Sequence, residues 1–548
     1  MKVTRFLPVR AKLHSPGCTP EQRRLFHDYF VTHLPSSSLH PDRSPVGPHH
    51  KLPRADSSPH KSGEGQRPPS ALPGVGASAG PSKETTVVRI PLKSAKHHFG
   101  GVTVRGSRPY NEDTYQAGCI EVPAFAKRQP LSISRRQAGQ FDPNKQGQSA
   151  SGDPQVFYFG VFDGHGGEEC SIFLRDRLHG YVEDAAEKFG MKSSIQTQDN
   201  VVGSQDAIDN DRVKRGVELQ RWVVNAWKEL VGGYFKRFRP EYFTALQKGA
   251  SAAQTPEEGE GPSDPLSMEA MLTFAFLNAD LDFTRAQAQK TTNAPTSEDP
   301  VLDDRPINET DVLSHPQRPA SQNLTTMLTA PIGGSKRFKG GSTGSIAMVS
   351  TPTPMPFWNP ASPSTVVVAH VGDTRILLCK SSDGVAVPLT ANHHPSTPVE
   401  ATRLRRYAAS FVTDSFGEER MQGLANTRSF GDISSKRLGV SAEPQITTVQ
   451  LSPGEYSFMV LMSDGVSAVL SDQETVDIVK EARTPEQACK DVVAFATEVS
   501  EDADNATCLV VRLGGWERRS EGGGGSLGTK EMRDFKKRDA ENPRSRRQ

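Results

Sequence analysis

Four acidic positions far apart in the chain share one local setting. Asp163 follows the apolar run 156–162 and precedes Gly164, His165, Gly166 and Gly167. Asp464 follows the run 456–462 and Ser463, and it precedes Gly465. Asp504 and Asn505 lead into the run 506–513, and Glu112 and Asp113 close the turn-like stretch 106–111. Apolar runs rich in aromatic and β-branched residues read as buried strands. Each acid therefore stands where a strand meets a loop, rigidly held yet open to solvent. Glycines beside it let backbone carbonyls approach a cation. One Asp-Gly turn with a surface histidine would be unremarkable, but the recurrence argues for convergence. Carboxylates brought together repel unless a cation neutralises them. With only carboxylate and carbonyl oxygens on offer, that cation is hard, Mg²⁺ or Mn²⁺ rather than zinc. Several shared carboxylates suit two ions roughly 3.5–4 Å apart, a site that acidifies a bridging water and clamps a phosphoryl oxygen.

The elements that must position these acids follow from the hydrophobic pattern. Beyond the glycines, Cys170, Phe173, Leu174, Leu178 and Tyr181 recur at helical spacing, so Asp163 sits between a central strand and an amphipathic helix. Leu219, Val223, Trp227 and Leu230 mark a second helix, and 268–289 a third. Alternating runs broken by Gly and Asp from 340 to 378, with a polar turn at 424–432, predict a meander of antiparallel strands. Helices are expected at 472–482 and 485–499. The second has Thr484 as N-cap, Pro485 at the first helical position and Gln487 to complete a capping box. There is no internal repeat.

Composition bounds the rest. The charge is nearly balanced, +1 from 65 basic and 64 acidic residues, which argues against wholesale nucleic-acid or membrane binding. The six cysteines are scattered without a Cys-x-x-Cys pair, so a disulfide framework or structural zinc site is not expected. No apolar run reaches the roughly 18–20 residues needed to cross a bilayer. Residues 1–85 read as a disordered leader rich in Pro, Ser and Gly. Its first twenty residues are basic and free of acids, with Val3, Phe6, Leu7 and Leu13 near one helical face. That is the pattern of a mitochondrial presequence, although Pro8 interrupts it. A single folded domain is expected over 86–513, with polar insertions near 121–155, 185–265 and 285–340, and 514–548 reads as a flexible Gly-rich basic tail.

Taken in order, Arg-x-x-x-Glu-Asp at 108–113, Val-Phe-Asp-Gly-His-Gly-Gly at 161–167, Gly-Ser-Thr-Gly-Ser at 341–345, Val-Gly-Asp-Thr-Arg at 371–375, Ser-Asp-Gly at 463–465 and Asp-Asn-Ala-Thr at 504–507 resemble the motifs of metal-dependent type 2C protein phosphatases, the PPM family. The resemblance covers about 89–513. It implies an α+β fold, a β-sandwich of two antiparallel sheets flanked by helices. It also implies hydrolysis of phosphoserine and phosphothreonine in proteins by a metal-bridging water, with no covalent intermediate. By position, Asp163 matches the residue that bridges both ions and Gly164 the one that offers its carbonyl. Glu112 and Asp113 match ligands of one ion, Asp464 and Asp504 ligands of the other. Arg108 matches the phosphate-binding arginine, whose planar fork suits two phosphate oxygens. His165 matches the general acid that protonates the leaving oxygen.

Two departures stand out. Ala468 occupies the place where many relatives carry an acid that helps to hold a third ion. This leaves a third site in doubt although Asp373 is present. Asn392 stands where an aspartate is usual, ahead of His393 and His394, which have no third partner nearby to make a metal site. Among rival readings, a cysteine-dependent phosphatase would have only Cys18 and Arg24 at suitable spacing, without the usual His or glycines. No Gly-x-x-x-x-Gly-Lys-Ser/Thr loop supports nucleotide binding. A catalytically silent pseudophosphatase acting as a scaffold is the alternative from another class, and it should have lost metal carboxylates that this chain keeps. Phosphorylated proteins are the expected partners, and a monomer is the default.

Overall fold

The computed structural model describes residues 98–127, 154–195, 210–247, 265–290, 332–353, 355–405, 425–520 and 527–541, with the backbone course of a few short segments besides. Two antiparallel sheets stack face to face. The first sheet runs Gln445–Leu451 (β9), Ser364–Val371 (β5), Gly341–Ser350 (β4), Val156–His165 (β3) and Thr114–Ile120 (β2), and the two-residue strand Phe430–Gly431 (β8) pairs with the start of β4. The second runs Ala386–Pro388 (β7), Arg375–Lys380 (β6), Tyr456–Met462 (β10), Ala506–Arg512 (β11) and Phe99–Val104 (β1).

The period of two along each strand sorts side chains into three hydrophobic layers. From β3, Phe157, Phe159 and Val161 face the second sheet and meet Ile376, Leu378, Met459, Leu461, Leu509 and Val511. Val156, Tyr158 and Phe162 face outward, onto the helices Glu169–Lys188 (α1), Gln205–Leu230 (α2) and Met268–Gln289 (α3). Beyond the second sheet, Phe458, Val460, Cys508 and Val510 pack on Asp472–Glu481 (α4) and Pro485–Val499 (α5). Central strands buried on both faces explain the near-continuous apolar runs in the sequence. The fold is the helix-flanked sandwich of two antiparallel sheets that the motifs imply.

Parity along β3 also directs Asp163. It continues the series 157, 159, 161, so its carboxylate points into the cleft where the inter-sheet core ends. Ser463, after Leu461, and Thr507, before Leu509, share that inward parity. Two connections cross from one sheet to the other at this end. Residues 105–113 join β1 to β2, and Gly372-Asp373-Thr374 joins β5 to β6.

Several boundaries differ from those read in the sequence. Residues 514–520 and 527–541 are no structureless tail: Trp516 is buried, and Leu527–Glu541 (α6) docks on α4 and α5. Lys536 pairs with Glu474 at 2.7 Å, Arg533 with Glu481 at 3.0 Å and Lys537 with Glu498 at 3.0 Å, so the basic residues that suggested a solvated tail instead fasten a helix to an acidic surface. Residues 121–127 and 332–340 are built into the domain, with Val122, Ala124, Ala126 and Phe338 buried, which narrows two of the expected insertions. Within the N-terminal stretch Tyr29–Pro35, Ser57–Pro59 and Thr85–Pro91 pair as a small antiparallel sheet, so 1–85 is not uniformly without structure; the basic first twenty residues lie outside those described. The capping box falls on α4, between Ser471 and Glu474, while Thr484 caps α5 by accepting from the Gln487 N–H. The five described cysteines are buried and unpaired. Among the described residues no helix is long and apolar enough to cross a membrane.

Candidate metal centre and active site

The acids meet at the end of the cleft. One carboxylate oxygen each from Asp163, Asp373 and Asp464 lie within 4.8 Å of one another. Three elements bring them there: the end of β3, the crossover between β5 and β6, and the first residue after Ser463 at the end of β10. The Asp464 N–H points at Asp163 Oδ2 over 3.4 Å. Asp113, from the other crossover, is buried behind them. It accepts from Ser463 Oγ and Thr507 Oγ1, both at 2.7 Å. Thus the inward-facing hydroxyls of β10 and β11 aim one carboxylate into the cluster. Close backbone approach needs glycine here. A Cβ at Gly164 would lie 2.5 Å from the Glu112 carbonyl oxygen, and one at Gly465 would collide with the Asn505 carbonyl.

The other matched residues form the rim. Glu112 accepts from the Gly167 N–H at 2.7 Å, and its own N–H donates to Asn505 Oδ1 at 2.8 Å. Asn505 also donates to the Arg105 and Tyr110 carbonyls, each at 2.8 Å, which fixes the loop carrying Arg108. The Arg108 guanidinium, half exposed, donates to Asp504 at 2.7 Å. His165 Nε2 lies 2.9 Å from both carboxylate oxygens of Asp432.

Electrostatics single out the cluster. Burial, with the Asp464, Asp113 and Asp373 charges adding to it, pushes the Asp163 carboxyl well above the usual carboxylate range. Burial and then the Asp373 charge raise Asp464 to about 7. Burial raises Asp113 to about 6 against the hydrogen bonds from Ser463 and Thr507. Burial works to lower His165, but the Asp432 carboxylate outweighs it and the net shift is upward. Asp113 Oδ1 and Asp373 Oδ1 are buried without a hydrogen bond. Among the described residues no basic side chain pairs with Asp113, Asp163, Asp373 or Asp464. Orphaned carboxylate oxygens aimed at one another without a counter-charge fit a divalent cation bound by oxygen ligands.

Sequence reasoning underweighted two residues. Asp373 was tied only to a doubtful third ion, yet it belongs to the tightest group; Asn426 Nδ2 donates to its Oδ2 at 2.8 Å. Its setting, Val-Gly-Asp-Thr after an apolar strand, repeats the grammar of the other acids and was the available signal. Asp432 sat in a segment read only as a polar turn, and nothing local marks it as a partner of a histidine 267 positions away. Asp504 lies beside the cluster but is engaged by Arg108. His393 is buried, accepts from the Gly372 N–H at 2.9 Å and stacks on His370.

Acids gathered between two antiparallel sheets, with an arginine and a histidine at the mouth, form a site that a divalent cation and a phosphate group would fit. Comparison with known proteins makes the class specific. The family model described as Protein phosphatase 2C matches residues 287–504. Protein phosphatase 2C homolog 4 of Schizosaccharomyces pombe is 31% identical over 437 residues, 79% of this chain and 84% of that one. Protein phosphatase 1K, mitochondrial, of Xenopus laevis is 36% identical over 152 residues, 28% of this chain and 40% of that one. Among solved structures, serine-threonine phosphatase 2C from Toxoplasma gondii aligns over 76% of this chain and 94% of its own with a TM-score of 0.42 and 16% identity. The chain belongs to the protein phosphatase 2C family and is a protein serine/threonine phosphatase.

Proposed function

We propose that this chain dephosphorylates phosphoserine and phosphothreonine in proteins with two Mg²⁺ or Mn²⁺ ions bound at the carboxylate cluster. The observation that carries the reading is the approach of Asp163, Asp373 and Asp464 to within 4.8 Å with no cationic partner among the described residues. Asp163, Asp464 and Asp504, with Glu112, Asp113 and the Gly164 carbonyl, would hold the ions, and Asp373 joins the set. When bound, such ions neutralise the acids, acidify water and polarise a phosphoryl oxygen. Arg108 is exposed enough to exchange its hydrogen bond with Asp504 for phosphate oxygens, and so to orient the phosphoryl group. His165, at the rim, would give the proton that the departing serine or threonine oxygen needs. Among the described residues the hydroxyls beside the cluster, Ser463 and Thr507, are taken up by Asp113, and the acids themselves would be engaged by the ions, which favours attack by water over a covalent intermediate.

The test is hydrolysis of a phosphothreonine peptide by chelator-treated protein before and after Mn²⁺ or Mg²⁺ is returned. Activity should vanish and come back, and Asp163→Asn should abolish it with the fold retained. Turnover that survives the chelator or Asp163→Asn overturns the metal assignment. The scaffold reading would instead have wild-type protein bind metal and phosphopeptide without turnover, and the retained cluster weighs against it. The acid-free basic N-terminus and the partial likeness to a relative named mitochondrial support a mitochondrial location. A reporter fused to the first 40 residues that stays in the cytosol would refute it.

A further inference from the structure

The two ring nitrogens of His165 are in different settings. Nε2 faces the buried carboxylate of Asp432, with both oxygens at 2.9 Å, while among the described residues no group bonds Nδ1. The imidazole is about a third exposed and the carboxylate only 5% exposed. One nitrogen is therefore committed to the protein side, and the other is left without a bond to any described residue.

Asp432 is unusual in its own right. It is the only non-glycine residue with a positive φ among those described, +43°. Its backbone N–H donates to the Gly340 carbonyl at 3.0 Å, and its Oδ2 accepts from Ser429 Oγ. The turn it belongs to is anchored from beneath. The Gly431 N–H donates to Asp280 Oδ1 at 2.8 Å, and the fully buried Lys436 donates to Asp280 Oδ2 at 2.6 Å and to the Ser429 carbonyl at 2.7 Å. Between His165 and Asp432 lies Gly341, opposite His165 in the β3–β4 register and opposite Gly431 in the β4–β8 register. A Cβ at Gly341 would collide with the Asp432 carboxylate, so the missing side chain is the window through which the two groups meet. A strained acid, a buried ion pair beneath it and a glycine window all serve one hydrogen bond.

We infer that Asp432 is a positioning residue: it holds Nε2–H of His165, so that Nδ1–H is the proton presented to the leaving serine or threonine oxygen. The inference rests on the phosphatase reading above. As water adds to phosphorus, the P–O bond to the side chain breaks and its electron pair stays on that oxygen. The oxygen takes the Nδ1 proton. The imidazole keeps Nε2–H on Asp432; of the water's two protons one stays on the new phosphate hydroxyl and the other goes to solvent, from which Nδ1 regains its proton. A carboxylate fixed on Nε2 sets the turn of the ring, so that Nδ1 is the nitrogen that faces away from Asp432.

The experiment compares a phosphothreonine peptide with 4-nitrophenyl phosphate, whose leaving group needs little protonation, using metal-loaded Asp432→Asn, His165→Ala and the double variant. Asparagine tolerates a left-handed backbone, so the turn should survive. Asp432→Asn should lower kcat for the peptide about tenfold or more and for the aryl ester less than about threefold. The double variant should be no slower on the peptide than His165→Ala alone. Ser429→Ala, which removes the hydroxyl that anchors the Asp432 carboxylate but keeps both partners, should show the same substrate split in milder form and serves if Asp432→Asn fails to fold. Equal losses on the two substrates, or losses that multiply in the double variant, overturn the positioning role. A wild type inactive on both substrates would instead overturn the phosphatase reading itself.

Discussion

Replacing Asp464 by asparagine should make the metal-free protein more stable, and increasingly so as pH rises. Three carboxylates within 4.8 Å repel by about 3 kcal/mol per pair at the effective dielectric of a protein site. The site avoids that cost by keeping protons, which is why burial and then the Asp373 charge lift Asp464 from an ordinary 3.8 to about 7. A carboxyl whose pKa is raised on folding binds more protons folded than unfolded. It therefore supports folding below its unfolded pKa and loses that support as pH climbs through the folded one. A lift of this size is worth about 4 kcal/mol in full, of which about 2–3 kcal/mol is spread between about pH 5 and about pH 8. Partial exposure of Asp464 to water reduces the expected swing to about 2 kcal/mol. The assay is chemical denaturation of chelator-treated wild type and Asp464→Asn at several pH values in that window. The variant's advantage should grow by about 2 kcal/mol from the acid to the alkaline end. Saturating Mn²⁺ should reverse the order, because wild type gains more from ligand linkage than a variant lacking a ligand. A stability difference that is flat with pH, or one that Mn²⁺ does not reverse, would show that the acids do not share one electrostatic site.

Two further predictions concern buried charge away from the cluster. Lys436→Met should cost about 3–5 kcal/mol, because Asp280 is left fully buried with only the Gly431 N–H for support. Changing Asp280 to leucine as well should recover most of that loss, and denaturant titration of the three variants checks both statements. His179 is 5% exposed and accepts from Gln116 Nε2, and burial depresses it from 6.5 to about 4. A histidine that folds neutral binds fewer protons than in the unfolded chain, so its contribution is present above about pH 6.5 and is lost as pH falls toward 4. Acidification from neutral to about pH 5 should cost wild type about 2 kcal/mol more than His179→Leu. The same acid sensitivity in the variant would remove His179 from the account.

Local pattern was enough to read the kinds of element and the ends at which chemistry would gather. A ten-residue strand from Val156 to His165 could be read because burial on both faces demands continuous apolar residues. The helix over Met268–Gln289 and the start of the one at Pro485 could be read because periodicity and capping are local properties. Period-two parity even carries Asp163 onto the inter-sheet face once the core face of β3 is known. Which acids meet depends on how the two sheets are connected and stacked. Asp373 joins Asp163 and Asp464 because a crossover lands between two sheets, and Asp432 reaches His165 because β8 pairs beside Gly341. Neither event leaves a trace in residue spacing, since strand pairing joins positions hundreds of residues apart without altering local propensity. The C-terminal helix was misread for the same reason. Its lysines and arginines look like a solvated tail until the acidic faces of α4 and α5 are placed beneath them.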